Sequence, residues 1–189
     1  MIKFFQLIVF VSLTGFSLAV MAAKALPEDT GLHLDSTVPE ISVVDVHGQK
    51  QTIRALSGEQ GLVLVFFRSA DWCGYCKKHL LEINEWNARI NSLGYKIAAI
   101  SYDSVEILSL FSTKHQLQFP LLSDQQHKTI KAMNVLNLDV KPGSEHYGIP
   151  YPGVMIINAD GKLIYNYFYQ GYKKRVKLEN LYQDLQLLE

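Results

Sequence analysis

The two cysteines of this chain stand three residues apart and are the residues best suited to chemistry. Cys73 and Cys76 follow the apolar run of residues 62–67 and open a stretch of helical character. The first N–H groups of a helix lack intrahelical partners and carry partial positive charge, so an anion is favoured there. A Cys73 thiolate, followed by Lys77 and Lys78, is such an anion. We therefore expect Cys73 to attack a disulfide and Cys76 to resolve the mixed disulfide that forms.

Two other uses of a cysteine pair compete with this one. A structural disulfide across so short a loop removes little entropy from the unfolded chain and stabilises weakly. A zinc site needs further ligands, and the sequence has neither a second Cys-x-x-Cys pair nor closely spaced histidines to join His79. The position of the pair between a strand and a helix favours redox chemistry.

Several segments resemble one family. The strand, Ala-Asp-Trp-Cys-Gly-Tyr-Cys-Lys and helix of residues 63–78 resemble the active site of the thioredoxin superfamily. Residues 119–124 and the late hairpin of residues 147–162 are similar to its redoxin branch, the peroxiredoxin-like proteins of the alkyl hydroperoxide reductase and thiol-specific antioxidant type. With Val-Pro-Glu-Ile at 38–41, the resemblance covers about residues 36 to 175.

The resemblance implies a substrate groove beside the cysteine pair. In the family, a cis-proline precedes the late strand, and Pro152 matches it, with Tyr151 before it and Pro150 as the alternative match. A cis bond is accessible only before proline, where it costs about 0.5–1 kcal/mol. We expect Trp72, Tyr75, Tyr151 and Pro152 to contact the substrate.

The chain also departs from the family's patterns. Thioredoxins carry a buried Asp six residues before the first cysteine, where this chain has Phe67. Peroxiredoxins carry Thr three residues before theirs, where this chain has Ala70. Arg68 is expected to be an exposed residue at a strand end, the alternative being that it helps to hold an anionic substrate or the thiolate. His79 lies near Cys76 by helical spacing and is expected to be a surface histidine, the alternative being that it tunes or exchanges the proton of Cys76.

Residues 1–23 have the pattern of an export signal. A short positive start and an apolar core, residues 4–20, precede a predicted cut after Ala22 or Ala23. An uncleaved membrane anchor is the alternative, because the run approaches the length that spans a bilayer. The mature protein would work outside the cytoplasm, in the periplasm of a bacterium, and would meet a membrane only through an uncleaved signal.

Residues 24–35 are predicted to be a flexible lead-in, and residues 36–189 one redoxin domain. The domain is expected to be a thioredoxin-like α/β sandwich, a mixed sheet with helices on both sides. A helix is predicted from Lys77 to Ile90, with Leu80 and Ile83 on its apolar stripe, and a last helix from about Arg175 to Leu188. Residues 134–149 have no clear period and are expected to form a loop that leads into the site, as a specificity element or a mobile flap.

Composition narrows the classes of function. The 189 residues carry 18 Lys and Arg against 18 Asp and Glu, so no basic excess suggests a nucleic-acid partner. We expect a thiol-disulfide oxidoreductase that acts on protein or small-molecule disulfides with an unidentified thiol reductant or oxidant, and that needs no metal or organic cofactor. One alternative is a peroxiredoxin-like peroxidase with an antioxidant role. Another is a redox or metal-binding assembly factor that holds copper on the cysteine pair.

Overall fold

The computed structural model describes residues 26–169 and 171–188. The predicted signal peptide, residues 1–23, lies outside the described residues. From residue 26 onward, the predicted lead-in is hydrogen-bonded to the domain that follows: Gly31 N donates to the carbonyl oxygen of Asn134, and Asp35 N to that of Leu163. Within the described part of the chain, no helix is both long and apolar enough to cross a bilayer.

A strand that is buried along its whole length forms the middle of the sheet. The apolar run at residues 62–67 forms the strand β3 (Gly61–Phe66), and all residues of this strand are buried. Side chains alternate between the two faces of a strand, so Val63 packs into one apolar cluster and Leu62 into another. Burial on both faces explains why the run lacks polar residues.

The described residues form seven strands and five helices. The other strands are β1 (Val43–Val44), β2 (Lys50–Gln51), β4 (Tyr95–Ser101), β5 (Leu121–Ser123), β6 (Gly153–Asn158) and β7 (Leu163–Phe168). The helices are α1 (Ile53–Leu56), α2 (Gly74–Ser92), α3 (Val105–His115), α4 (Lys128–Ala132) and α5 (Leu178–Leu187). The sheet order is β2-β1-β5-β4-β3-β6-β7. Since β3 is parallel to β4 and antiparallel to β6, the sheet is mixed, as predicted.

Helices cover both faces of this sheet. Ile83 of α2, Leu108 of α3 and Leu181 of α5 belong to one apolar cluster. Leu56 of α1 and Ile130 of α4 belong to the other. The predicted thioredoxin-like sandwich of three layers is therefore confirmed.

Two predicted boundaries shift while the elements themselves are confirmed. The helix predicted from Lys77 begins at Gly74, because Cys73 takes the capping position. The last helix begins at Leu178 rather than near Arg175, which stays in the preceding irregular segment. That shift determines where the Arg175 side chain points.

Candidate active site

Cys73 and Cys76 form a disulfide at the start of α2. Their Cα atoms are 5.2 Å apart. Cys73 is the N-cap residue of this 19-residue helix, and its Sγ accepts a hydrogen bond from the backbone N–H of Cys76 at 3.3 Å. The side chains are 4% and 1% exposed, respectively. The two sulfurs are therefore close enough for the predicted disulfide chemistry, and Cys73 lies at the positive end of the helix.

The loop before Cys73 is fixed by buried acceptors. The carboxylate of Asp103, two residues after the end of β4, accepts from Ala70 N at 2.7 Å and from Ser101 Oγ at 2.9 Å. Ser69 Oγ accepts from Asp71 N at 2.9 Å. Burial raises the pKa of Asp103 although these donors favour its charged form. The position of Cys73 thus depends on a carboxylate from a different strand.

Cys73 lies on an apolar cleft of about 610 Å³. The lining residues are Arg68, Trp72, Cys73, Gly74, Tyr75, Lys78 and Tyr172. Tyr75 and Tyr172 are 47% and 46% exposed, and their rings meet edge to face at 5.8 Å. Two of the predicted substrate contacts, Trp72 and Tyr75, therefore lie beside Cys73.

Arg68 is not the exposed residue that was predicted. Its guanidinium carbon lies 4.6 Å from the ring centre of Trp72 and 4.9 Å from that of Tyr172. Its Nε atom is buried and has no hydrogen-bond partner among the described residues. The correction has a physical reason: two aromatic faces provide favourable contacts for a planar cation that has lost water.

Trp72 also connects the site to the loop of residues 134–149. Its indole stacks on the ring of His146, with the centres 4.2 Å apart, and its Nε1 donates to the Tyr102 hydroxyl at 3.1 Å. The loop therefore reaches the site, as predicted. Its role as a specificity element or flap stays a prediction.

Arg175 is a site residue that sequence reasoning missed. Its Nη2 lies 3.5 Å from the Sγ of Cys76, which is 99 residues earlier. Burial, followed by the charge of Arg68, lowers the pKa of Arg175 to about 10. The basic run Lys-Lys-Arg at 173–175 was a signal of positive charge, but no spacing connected it with the cysteines.

His79 was predicted to be a surface residue, and this was wrong. The side chain is 4% exposed, and its buried Nε2 has no hydrogen-bond partner among the described residues. Burial, followed by the nearby Arg175 charge, lowers the pKa of His79 to about 4. The periodicity contained the signal, because position 79 lies three residues after Cys76 and four before Ile83, both on the buried face of α2.

The predicted cis bond at Pro152 is also wrong. No peptide bond among the described residues is cis. The trans isomer is intrinsically favoured before proline, and Tyr151 N donates to the carbonyl oxygen of Val135 at 2.7 Å within this backbone. Tyr151 and Pro152 line a second cleft, of about 220 Å³, which shares Arg68 and Tyr172 with the first. They therefore lie beside the cleft of Cys73, and their contact with substrate stays a prediction.

A metal centre finds little support in the side chains. Among residues 26–169 and 171–188, no group of three or more His, Cys, Asp and Glu residues is placed to hold a metal ion. The metal-binding alternative therefore depends on the cysteine pair alone.

The fold and the disulfide at a helix start define a redox protein of the thioredoxin-like class. Residues 34–166 match the AhpC/TSA family, and the chain belongs to that family.

Known proteins resemble this chain in sequence and in structure. Peroxiredoxin Bcp of Bacillus subtilis is 26% identical over 133 residues, which are 70% of this chain and 83% of the relative. Thiol-disulfide oxidoreductase ResA of Geobacillus kaustophilus is 26% identical over 109 residues, 57% of this chain and 61% of the relative. The crystal structure of peroxidoxin BcpB from Mycobacterium tuberculosis superposes with a TM-score of 0.72 at 18% identity, over 84% of this chain and 99% of that one. This last likeness establishes the fold.

Family membership makes the protein an oxidoreductase whose chemistry depends on thiols. The prediction of a redox thiol enzyme is confirmed at that level. Between the two finer predictions, the peroxiredoxin relatives favour the peroxidase over general thiol-disulfide exchange.

Proposed function

We propose that the protein is a thiol-dependent peroxidase in which Cys73 reduces a peroxide and Cys76 forms the disulfide. One observation carries the proposal: Cys73 caps a 19-residue helix, Arg68 lines the cleft of Cys73, and the guanidinium of Arg175 lies 3.5 Å from the Cys76 Sγ. A helix N-terminus and nearby cations stabilise a thiolate over a thiol. The peroxiredoxin relatives support the same reaction.

The reaction balances with the groups at hand and one external thiol. The Cys73 thiolate attacks one peroxide oxygen, the O–O bond breaks, and the leaving alkoxide or hydroxide takes a proton from water. Cys73 is then a sulfenic acid. Cys76 attacks its sulfur, water leaves, and the Cys73–Cys76 disulfide forms. Two thiol groups from an external reductant return the pair to the dithiol by exchange.

A second candidate is thiol-disulfide exchange on polypeptides or small disulfides. The exposed rings of Tyr75 and Tyr172 beside Cys73 favour it, since they offer an apolar surface to a larger partner. Ala70 stands where peroxiredoxins carry Thr, and one relative is a thiol-disulfide oxidoreductase. In this reaction, Cys73 attacks a substrate disulfide and Cys76 displaces the substrate thiol.

The experiment follows reduced protein after mixing with hydrogen peroxide. We expect wild-type protein to form the disulfide, Cys73→Ser to be inert, and Cys76→Ser to accumulate a sulfenic acid that dimedone traps. The same three proteins are then assayed for insulin reduction. Wild-type protein that reacts with peroxide no faster than free cysteine, yet reduces insulin, would replace the first function with the second.

We also propose that the protein acts after export, on the basis of the signal pattern in residues 1–23. The intact mass of protein from a periplasmic fraction tests this. A mass that corresponds to a start at residue 23 or 24 is expected, and full-length chain in the membrane fraction would contradict it.

A further inference from the structure

His79 is a buried imidazole whose surroundings in the disulfide state leave one atom without a partner. It lies on α2 one turn after Cys76, is 4% exposed, and its Nε2 has no hydrogen-bond partner among the described residues. Buried polar atoms in folded proteins are nearly always hydrogen-bonded, so an orphaned one needs an explanation. A hydrogen-bond partner that exists only when the disulfide is reduced provides that explanation.

Arg175 connects His79 with Cys76. Its Nη2 is 3.5 Å from the Cys76 Sγ, and its charge acts on His79. Cys76 lies one turn before His79 on the same buried face of α2. Arg175, from the segment before α5, is the charged group that acts on the imidazole, and Arg68 acts in turn on Arg175. In the described part of the chain, no acid contributes to the pKa of His79. In the disulfide state, the Arg175 cation therefore has no anion beside Cys76. In the reduced state, a Cys76 thiolate supplies one.

The other buried ionisable group near the site is already occupied. The carboxylate of Asp103 accepts from Ala70 N and Ser101 Oγ and so holds the loop before Cys73. Position 67, at the end of the central strand, is a phenylalanine. Neither residue offers a free proton acceptor on the side of Cys76, whereas His79 does.

We propose that His79 exchanges a proton with the Cys76 thiol and that Arg175 holds the resulting thiolate. The inference rests on the proposed function for its direction. During disulfide formation, neutral His79 takes the Cys76 proton, the thiolate attacks the Cys73 sulfenic acid, and the departing hydroxide recovers that proton as water. The net change is one disulfide and one water from a sulfenic acid and a thiol. His79 begins and ends this sequence neutral.

The first test titrates Cys76 alone. Since the chain has two cysteines, the Cys73→Ser protein carries a single thiol, whose ionisation is followed by thiolate absorbance at 240 nm. The double Cys73→Ser, Cys76→Ser protein provides the tyrosinate background. Adding His79→Gln should raise the titration midpoint of Cys76 by about one pH unit or more, because the thiol then lacks the imidazole that takes its proton. Arg175→Met should raise it as well, and Arg175→Lys should raise it less.

The matched control is Asn87→Ala, which changes another buried polar residue of α2. Asn87→Ala should leave the titration midpoint of Cys76 unchanged although it lowers the stability. A shift of the midpoint in both Asn87→Ala and His79→Gln would indicate a merely structural effect and overturn the proposal. His79→Asn serves as a second replacement if the Gln variant fails to fold. An unchanged midpoint in a folded His79 variant also overturns the proposal.

The second test separates this inference from the proposed function. Reduced two-cysteine protein is mixed with hydrogen peroxide across a range of pH, and the disulfide-forming step is timed. In His79→Gln, this step should be about tenfold slower at neutral pH and should recover at higher pH, where hydroxide takes the proton of Cys76. The reaction of Cys73 with peroxide should keep its rate. If wild-type protein does not react with peroxide, the proposed peroxidase function is wrong. The titration of Cys76 still tests the role of His79 in that case.

Discussion

The two sulfurs of one disulfide lie in different halves of the active site. Cys73 borders a cleft with half-exposed tyrosines, and its surroundings form the outer half of the site. Cys76 is enclosed with His79 and Arg175, which form the inner half. In the proposed reaction, the outer half admits the substrate, whereas the inner half offers a cation, Arg175, and a proton acceptor, His79. Both sulfurs are buried, and the cleft beside Cys73 supports the proposal that Cys73 attacks and Cys76 resolves.

Helix geometry produces this difference. Cys73 is the N-cap, where the backbone has not yet entered the helix and the side chain meets orphan N–H groups. Cys76 is one turn inside, on the same face as Leu80 and Ile83, which belong to the core. A Cys-x-x-Cys spacing at a helix start therefore places the first sulfur beside the cleft and the second one turn further along the core cluster to which both side chains belong.

The largest expected effect concerns what holds the outer half in place. Asp103→Ala leaves the buried donors Ala70 N and Ser101 Oγ without their acceptor. At about 1–3 kcal/mol for each unsatisfied buried group, we expect a loss of about 3 kcal/mol in the free energy of unfolding, measured in urea. Asp71→Ala removes an exposed carboxylate from the same loop and should cost less than about 0.5 kcal/mol. Equal losses in the two variants would show that Asp103 does not anchor the loop.

The next expected effect is opposite pH dependence in the two halves. His79 has a folded-state pKa of about 4, below its ordinary 6.5, so its contribution to stability is present above pH 6.5 and is lost as pH falls towards 4. Relative to His79→Gln, wild-type protein should lose about 2 kcal/mol between pH 7 and pH 5. Asp103 has a raised pKa, so its contribution is present below its ordinary 3.8 and is lost as pH rises.

Urea unfolding of wild type, His79→Gln and Asp103→Asn at several pH values measures both trends. Relative to Asp103→Asn, wild-type protein should weaken from pH 4 upward, the reverse of the trend for His79. Trends of the same sign in the two comparisons would mean that the halves are not electrostatically distinct.

The local sequence pattern was sufficient to predict the start of α2 in the outer half of the site and the strands of the sheet. The uninterrupted apolar run at 62–67 predicted a strand, and the cysteine spacing predicted a redox pair at a helix start. The late hairpin expected within residues 147–162 is present, and in its turn Asn158 Oδ1 accepts from two backbone N–H groups. These features depend on neighbours in the sequence, which a single chain displays directly.

The inner half could be predicted only in part. The burial of His79 follows from its spacing to Cys76 and Ile83, and the prediction failed because surface histidines are common. Arg175 reaches the disulfide from the segment between β7 and α5, and only the packing of α5 beside α2 brings it there. Arg68 was predicted to be exposed because Tyr172, one of the two rings that enclose it, is more than a hundred residues away in sequence.

The smallest expected effect tests whether Arg68 belongs to the outer half. Arg68→Met keeps an apolar stem between Trp72 and Tyr172 but removes the cation from the cleft of Cys73. We expect the reaction of Cys73 with peroxide to slow about tenfold, equivalent to about 1.4 kcal/mol in the barrier, because a cation no longer stabilises the reacting anion. Stopped-flow mixing of reduced protein with hydrogen peroxide measures this rate.

Lys78→Met is the matched control, because Lys78 lines the same cleft but lies in solvent and pairs with Glu82 at 3.7 Å. A screened surface charge contributes little, so its loss should change the rate less than twofold. Arg68→Lys should lie between the two, since it keeps the charge and loses the planar stacking. If Arg68→Met shifts the titration of Cys76 as strongly as Arg175→Met does, the two arginines act as one cluster and the division between the halves is wrong. A slower first step with an unshifted Cys76 places Arg68 with the substrate and Arg175 with the resolving thiolate.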